Sequence, residues 1–258
     1  MTWKVLSSSV TGTSHANRNE EGQDYCRAGV KSICDRLFFI ALAADGAGST
    51  TDGGTGAKIA CESACHGISD TIRLHGGDLA HVTRQEIENW IAASREAIGA
   101  EAESNGNQIR NYACTLIGTV LCETYAIYFQ IGDGGIVIGD GTGYHIVFWP
   151  EQGEYANTTY FLTDDSVLGH LTIRQQDTAP DEVALFTDGL QHLVLSYPTK
   201  TVHSGFFKPL FERIRNSTDN EFQAISDGFH IFLTRDEIQR RSDDDKTLVL
   251  AVRSTAST

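Results

Sequence analysis

The sequence has little that would take it out of water or onto an anionic partner. It has no apolar run near the roughly 20 residues a membrane helix needs. Its 258 residues include four Pro, one Met and three Trp. Lys and Arg number 20 against 34 Asp and Glu, a formal net charge of −14. The acidic balance argues against nucleic acid or an anionic membrane as the main partner, because both select basic faces. The N-terminus has no basic segment leading into an apolar one, so no secretory signal is expected and the protein is read as cytoplasmic. No Pro-, Gly- or Ser-rich linker and no internal repeat divides the chain. A single domain over residues 1–258 is therefore expected, long enough to bury a full core. A monomer is expected.

Disulfide scaffolding is missing too. Six cysteines (Cys26, Cys34, Cys61, Cys65, Cys114, Cys122) lie in the first half, and without a secretory signal they read as reduced, buried thiols. Cys61, Cys65 and His66 lack the CxxC spacing and the second ligand pair of a zinc site.

Strand and helix signals are present in abundance. Residues 37–44 (LFFIALAA) form a continuous apolar run. Runs at 115–121, 125–131, 136–138 and 144–148 are separated by three to five residues. Such short connections predict antiparallel neighbours and hence a β-meander in the middle of the chain. Residues 183–187 and 247–252 add two strands. Between the first strand and the meander, Ala57, Ala60, Ala64, Ile68 and Ile72 recur at helical spacing over 54–75. Ile87, Trp90, Ile91 and Ile98 do so over 84–103, with Glu86, Glu88, Arg95, Glu96 and Glu101 on the other face. Further helices are expected near 204–215 and 219–229. The class is α+β, with helices packed on sheet faces.

The acids fall in a pattern. Asp45, Asp133 and Asp188 each end an apolar run and precede a glycine; Asp244 precedes the last strand, and Asp24 lies just before the first strand pair. Carboxylates at strand ends can converge on one rim of a sheet and hold a hard divalent cation such as Mg²⁺ or Mn²⁺. Each Asp-Gly taken singly is equally a turn, as Asp140-Gly141 is read to be. The glycine-rich stretch 45–56 (DGAGSTTDGGTG) is not a nucleotide loop. Gly56-Ala57-Lys58 breaks the P-loop pattern, and GxGxxG is out of register.

Taken in order, AADGAGS at 43–49, IGDGG at 131–135, LFTDGL at 185–190 and DDKT at 244–247 resemble the PP2C (PPM) family of metal-dependent serine/threonine protein phosphatases. Ser14-His15, Gln23-Asp24 and GEYANTTYFLT at 153–163 resemble its compact bacterial branch. The resemblance implies a four-layer α-β-β-α sandwich of two antiparallel sheets flanked by helix pairs. It implies two Mn²⁺ or Mg²⁺ ions, with a third in some members, and in-line attack on a phosphoserine or phosphothreonine ester by a hydroxide lying between the two ions. Asp45 matches the bridging aspartate, Gly46 the glycine that offers its carbonyl, Asp188 and Asp244 ligands of the first ion. Asp24, with Gln23, matches the first motif's acid pair, and Asp133 an acid of the third site. Asp24, Asp45, Asp188 and Asp244 are thus the catalytic candidates. Arg18 and then His15 are the candidates for holding the substrate phosphate. A phosphorylated protein is the implied substrate, and a serine/threonine kinase the implied counterpart. Segment 150–180 corresponds in position to the family's variable flap.

The departures from the family pattern define the alternative. Gln23 stands where a glutamate is common, Ala47 where many members have a histidine, and His192 where an aspartate is common. His192 weakens the match at the third site, and Gln23 and Ala47 favour a pseudophosphatase that binds phosphoproteins without turning them over. A third option is a Ca²⁺-binding β protein without catalysis.

Overall fold

A computed structural model describes residues 2–150 and 159–254. The strands are β1 (Thr2–Val10), β2 (Tyr25–Ile33), β3 (Arg36–Ala44), β4 (Leu116–Leu121), β5 (Ala126–Ile131), β6 (Gly135–Gly139), β7 (Tyr144–Ile146), β8 (Thr172–Gln176), β9 (Glu182–Phe186), β10 (Leu195–Ser196), β11 (Thr201–Val202) and β12 (Lys246–Ser254). The helices are α1 (Thr13–Ala16), α2 (Gly53–Leu74), α3 (Arg84–Ser104), α4 (Gln191–Val194), α5 (Ser204–Asn216), α6 (Asp219–Leu233) and α7 (Asp236–Gln239). Two five-stranded sheets carry the fold, in the orders β1-β12-β9-β6-β7 and β2-β3-β4-β5-β8. Their paired strands are all antiparallel.

The sheets stack face to face, and a helix pair covers each outer side. β3 shows why its sequence reads as one unbroken apolar run. Phe38, Ile40, Leu42 and Ala44 pack under α2 and α3, against Ala60, Ala64, Ile68, Trp90 and Ile91. The alternate residues Phe39, Ala41 and Ala43 face the other sheet, against Trp3, Ile136, Val183, Leu185 and Val249. A strand buried on both faces has no polar side to show. The outer face of the first sheet packs Phe186, Leu248 and Leu250 against Phe207, Phe211, Phe229 and Leu233 of α5 and α6. These three apolar layers separate four structural ones, the α-β-β-α arrangement expected.

Helix starts follow local chemistry. α3 opens with a reciprocal capping box between Thr83 and Glu86, and α6 with one between Thr218 and Glu221. Each cap satisfies amide groups that have no partner within the helix.

The predicted meander is corrected. β4 and β5 pair, and β6 and β7 pair, but β5 and β6 belong to different sheets. Gly132, at φ 92°, turns the chain from one sheet to the other. A three-residue link can join stacked sheets as well as hydrogen-bonded neighbours, and the lengths alone do not separate the two. The crossing places Asp133 at the rim instead of in a hairpin. The cysteine expectation is corrected at one position: all six thiols are free, but Cys34 is exposed in the β2–β3 turn. Residues 153–158 of the GEYANTTYFLT motif, and 151–158 of the flap, lie outside the described residues. Within the described part, Leu162 is fully buried in the core under the helices, while Tyr160 and Phe161 are half-buried.

Candidate metal centre

Both sheets deliver acids to one rim of the sandwich. Asp24 precedes β2 and Asp45 follows β3, from one sheet. Asp188 follows β9 and Asp244 lies two residues before β12, from the other; Asp133 sits on the crossing between them. A carboxylate oxygen from each of Asp45, Asp133 and Asp188 lies within 4.8 Å of the others. Asp133, Asp188 and Asp244 line one cavity of about 800 Å³. Gln23 and Asp24 line another of about 820 Å³, together with Arg18, Lys58 and the first turn of α2.

Backbone hydrogen bonds hold the acids in place. Asp45 is tied on both sides to Thr115: its N–H donates to Thr115 Oγ1 at 3.0 Å, and Thr115 N–H donates to its carbonyl at 2.8 Å. Gly46 N–H donates to the Gln23 carbonyl at 3.1 Å. Gly46 also lies so close to the start of α2 that an added Cβ would stand 2.4 Å from the carbonyl carbon of Gly53. Part of the glycine-rich stretch therefore serves close packing of loop on helix. Asp133 accepts from the Thr159 hydroxyl, and its carbonyl from the Gln191 amide. Thr187 Oγ1 donates to Asp24 Oδ2 at 2.7 Å and accepts from Thr247 N–H at 2.9 Å. Asp24 Oδ1 is buried and has no hydrogen-bond partner among the described residues.

The electrostatics are those of negative groups crowded away from water. Burial is the largest cause that raises the Asp24 and Asp188 carboxyls from an ordinary 3.8 to about 7, with neighbouring acids adding to it. Asp45 is pushed well above the usual range by burial, and then by Asp24 and Asp188. Asp133 is raised by burial. Burying several carboxylates together is unfavourable unless a proton or a cation offsets them. An all-oxygen donor set and an orphaned carboxylate oxygen fit a hard divalent cation. The residues present thus suit Mg²⁺ or Mn²⁺, with Asp45, Asp133 and Asp188 gathered together and Asp24 and Asp244 among the charged neighbours of Asp45.

The other candidates fall in different places. Gln23 Nε2 donates to the Thr50 carbonyl at 3.2 Å, and its Oε1 is buried with no partner among the described residues. Arg18 is exposed, paired with Glu20 at 2.7 Å on the edge of the Asp24 cavity. His15 is buried, with Nδ1 at 3.0 Å from Asp245 Oδ1, and lines neither cavity. Cys61 and Cys65 point into the core, whereas His66 is exposed with Nδ1 on the Glu62 carbonyl, so no zinc grouping forms among them. Sequence reasoning missed Thr115, Thr187 and Asp245. Asp245 carried a visible signal, three consecutive aspartates before a strand, but nothing to say which one turns inward.

A two-sheet sandwich with a rim of carboxylates suited to a divalent cation defines the class. The comparisons then give the family. A family model described as Protein phosphatase 2C matches residues 11–229. The chain is 33% identical over 253 residues to serine/threonine-protein phosphatase 3 of Escherichia coli (strain K12), covering 98% of this chain and 99% of that one. Among solved structures it is similar to the Mycobacterium tuberculosis serine/threonine phosphatase PstP/Ppp, with TM-score 0.63 and 16% identity over 99% of this chain and 100% of that one. The PstP catalytic domain in complex with two manganese ions matches with TM-score 0.60 and 14% identity, over 97% of both chains. Stp1 of Staphylococcus aureus matches with TM-score 0.61 and 15% identity, over 99% and 96%. The chain belongs to the protein phosphatase 2C family, whose members are metal-dependent serine/threonine protein phosphatases.

Proposed function

We propose that the chain hydrolyses phosphoserine and phosphothreonine esters of proteins at the aspartate rim, as a single-domain, monomeric, cytoplasmic enzyme that reverses the work of a serine/threonine kinase. Neither nucleic acid nor membrane enters this reading. The observation that carries it is the convergence of Asp45, Asp133 and Asp188 oxygens within 4.8 Å, beside the orphaned Asp24. Asp45, Asp188 and Asp244, with the Gly46 carbonyl, would hold two Mn²⁺ or Mg²⁺ ions; Asp133 would serve a third. Ions held there would neutralise the charge of the dianionic ester and lower the pKa of a bound water.

The protein's own groups set the rest. The fixed backbone at Asp45 and Thr115 keeps the central carboxylate oriented. Thr187 holds Asp24 by one oxygen, and the other has no partner among the described residues. Arg18 and Lys58 put positive charge on the wall of the Asp24 cavity, where a phosphoryl group would enter. Ala47 offers no proton, so the leaving alkoxide takes its proton from water. Gln23 and Ala47 favour the alternative of a phosphoprotein-binding pseudophosphatase.

The test is hydrolysis of a phosphoserine or phosphothreonine peptide with Mn²⁺, Mg²⁺, Ca²⁺ or EDTA. Turnover with Mn²⁺ or Mg²⁺ that EDTA abolishes supports the enzyme. Binding of the ion without turnover supports the pseudophosphatase.

A further inference from the structure

One carboxylate from the other end of the chain gathers three donors of the segment that brings Gln23 and Asp24 to the rim. Asp245 is 2% exposed. Its Oδ1 accepts from Gly12 N–H at 2.7 Å and from His15 Nδ1 at 3.0 Å, and its Oδ2 accepts from Gln23 N–H at 2.6 Å. Ser14 N–H donates to the Asp243 carbonyl at 2.8 Å, alongside. Three donors spread over twelve residues of loop thus converge on one buried side chain. Asp245 lines neither cavity at the rim. Yet the residue after its last donor is Asp24, and the residue before it is Asp244.

We propose that Asp245 is a positioning residue for the metal centre. Its carboxylate orients the backbone at Gln23, and so sets the place of the Asp24 carboxyl before any ion arrives. A buried carboxylate with short hydrogen bonds from backbone N–H groups is strongly directional. Ligands held in advance by outer partners do not have to be ordered when the ion binds. The geometry moves His15 from the phosphate side to this clamp. With Nδ1–H given to Asp245, its Nε2 stays buried without a partner among the described residues. The inference rests on the metal-dependent reading of the rim.

The experiment is calorimetric titration of Mn²⁺ into the folded full-length protein and into Asp245→Asn, Asp24→Asn, the double variant and Asp188→Asn. Asp245→Asn keeps the shape and one acceptor oxygen, but turns an NH₂ toward the Gln23 N–H. Mn²⁺ affinity should fall about 10–100-fold, as is typical when an outer partner of a metal ligand is lost. KM for p-nitrophenyl phosphate at saturating Mn²⁺ should not change. Because Asp245 acts through Asp24, the double variant should bind Mn²⁺ about as weakly as Asp24→Asn alone. Unchanged affinity in Asp245→Asn, or losses that multiply in the double variant, would overturn the proposal. Should Asp245→Asn fail to fold, His15→Ala carries the test, with a smaller loss of Mn²⁺ affinity expected and an unchanged affinity contradicting it. Asp188→Asn separates the two levels. If it still binds Mn²⁺ like wild type, the metal centre itself is misplaced and the clamp falls with it. If it does not, a null result at Asp245 removes the clamp alone.

Discussion

Strand β6 carries an Asp-Gly at each end, and the two aspartates live in opposite surroundings. Asp133 stands on the crossing between sheets, half-buried, sharing the rim with Asp45 and Asp188. Burial drives its carboxyl above the ordinary range. Asp140 stands in the β6–β7 hairpin, exposed, and its Oδ1 accepts from the Thr142 hydroxyl at 2.6 Å and the Thr142 N–H at 2.9 Å. Those bonds hold its carboxyl below the ordinary range. One dipeptide stands at a crowded acidic rim and, at the other end of the strand, in an exposed turn. The residue pair does not decide which; the neighbours across the two sheets do.

The largest effect tests the rim itself. Asp188→Ala should abolish divalent-dependent turnover, by about 10³-fold or more, since Lewis-acid stabilisation contributes several kcal/mol and about 1.4 kcal/mol is tenfold. Steady-state assay with p-nitrophenyl phosphate and Mn²⁺ checks it, with circular dichroism to confirm folding.

The comparison is then tested directly at both ends of β6. Asp133→Asn should raise the Mn²⁺ concentration needed for half-maximal activity by about 10-fold or more. Asp140→Asn should leave that concentration and kcat unchanged, and lower Tm only slightly. Equal effects at the two ends would break the distinction.

A smaller, graded effect concerns pH. Asp24 and Asp188 titrate near 7 in the folded, metal-free protein and near 3.8 when unfolded. Between those values the folded state binds more protons, so stability falls as pH rises. The Tm of metal-free protein should therefore drop from about pH 4 to about pH 7 and level off above it. Saturating Mn²⁺ should reverse the trend, because the ion binds the deprotonated acids. A metal-free Tm that rises across this window would contradict the crowded rim.

The smallest effect compares the two turn glycines. Gly132 and Gly141 both have positive φ, 92° and 84°. Gly141→Ala should cost about 1 kcal/mol from backbone strain alone. An added Cβ at Gly141 meets open space, but one at Gly132 would stand 2.5 Å from Thr115 Cγ2. Gly132→Ala should cost more, and should also disturb the rim, because Thr115 holds Asp45. Urea unfolding measures the difference.

Much of this was legible in the amino acids, and the reasons for the rest are physical. β3, β4, β5, β9 and β12 are buried on both faces, so they read as plain apolar runs. β1 carries Ser7, Ser8 and Ser9, and β8 is Thr-Ile-Arg-Gln-Gln; these sheet-edge strands look like loops. The helix stripes were clear because each buries one face. Asp45 and Asp188 stood out because an acid ends an apolar strand. Asp245 did not, because its role depends on Gly12, His15 and Gln23, over 220 residues earlier. The meander failed for the same reason as the Asp-Gly pair: a short link fixes distance, not the sheet on the other side.

The central claim is that the aspartates at this rim form a divalent-metal centre. Anomalous diffraction at the manganese edge, from crystals grown with saturating Mn²⁺, tests it most directly. The account predicts peaks among the Asp45, Asp188 and Asp244 carboxylates, with none at the Asp140 turn. An empty rim under saturating Mn²⁺, or ions held only elsewhere on the acidic surface, would contradict it.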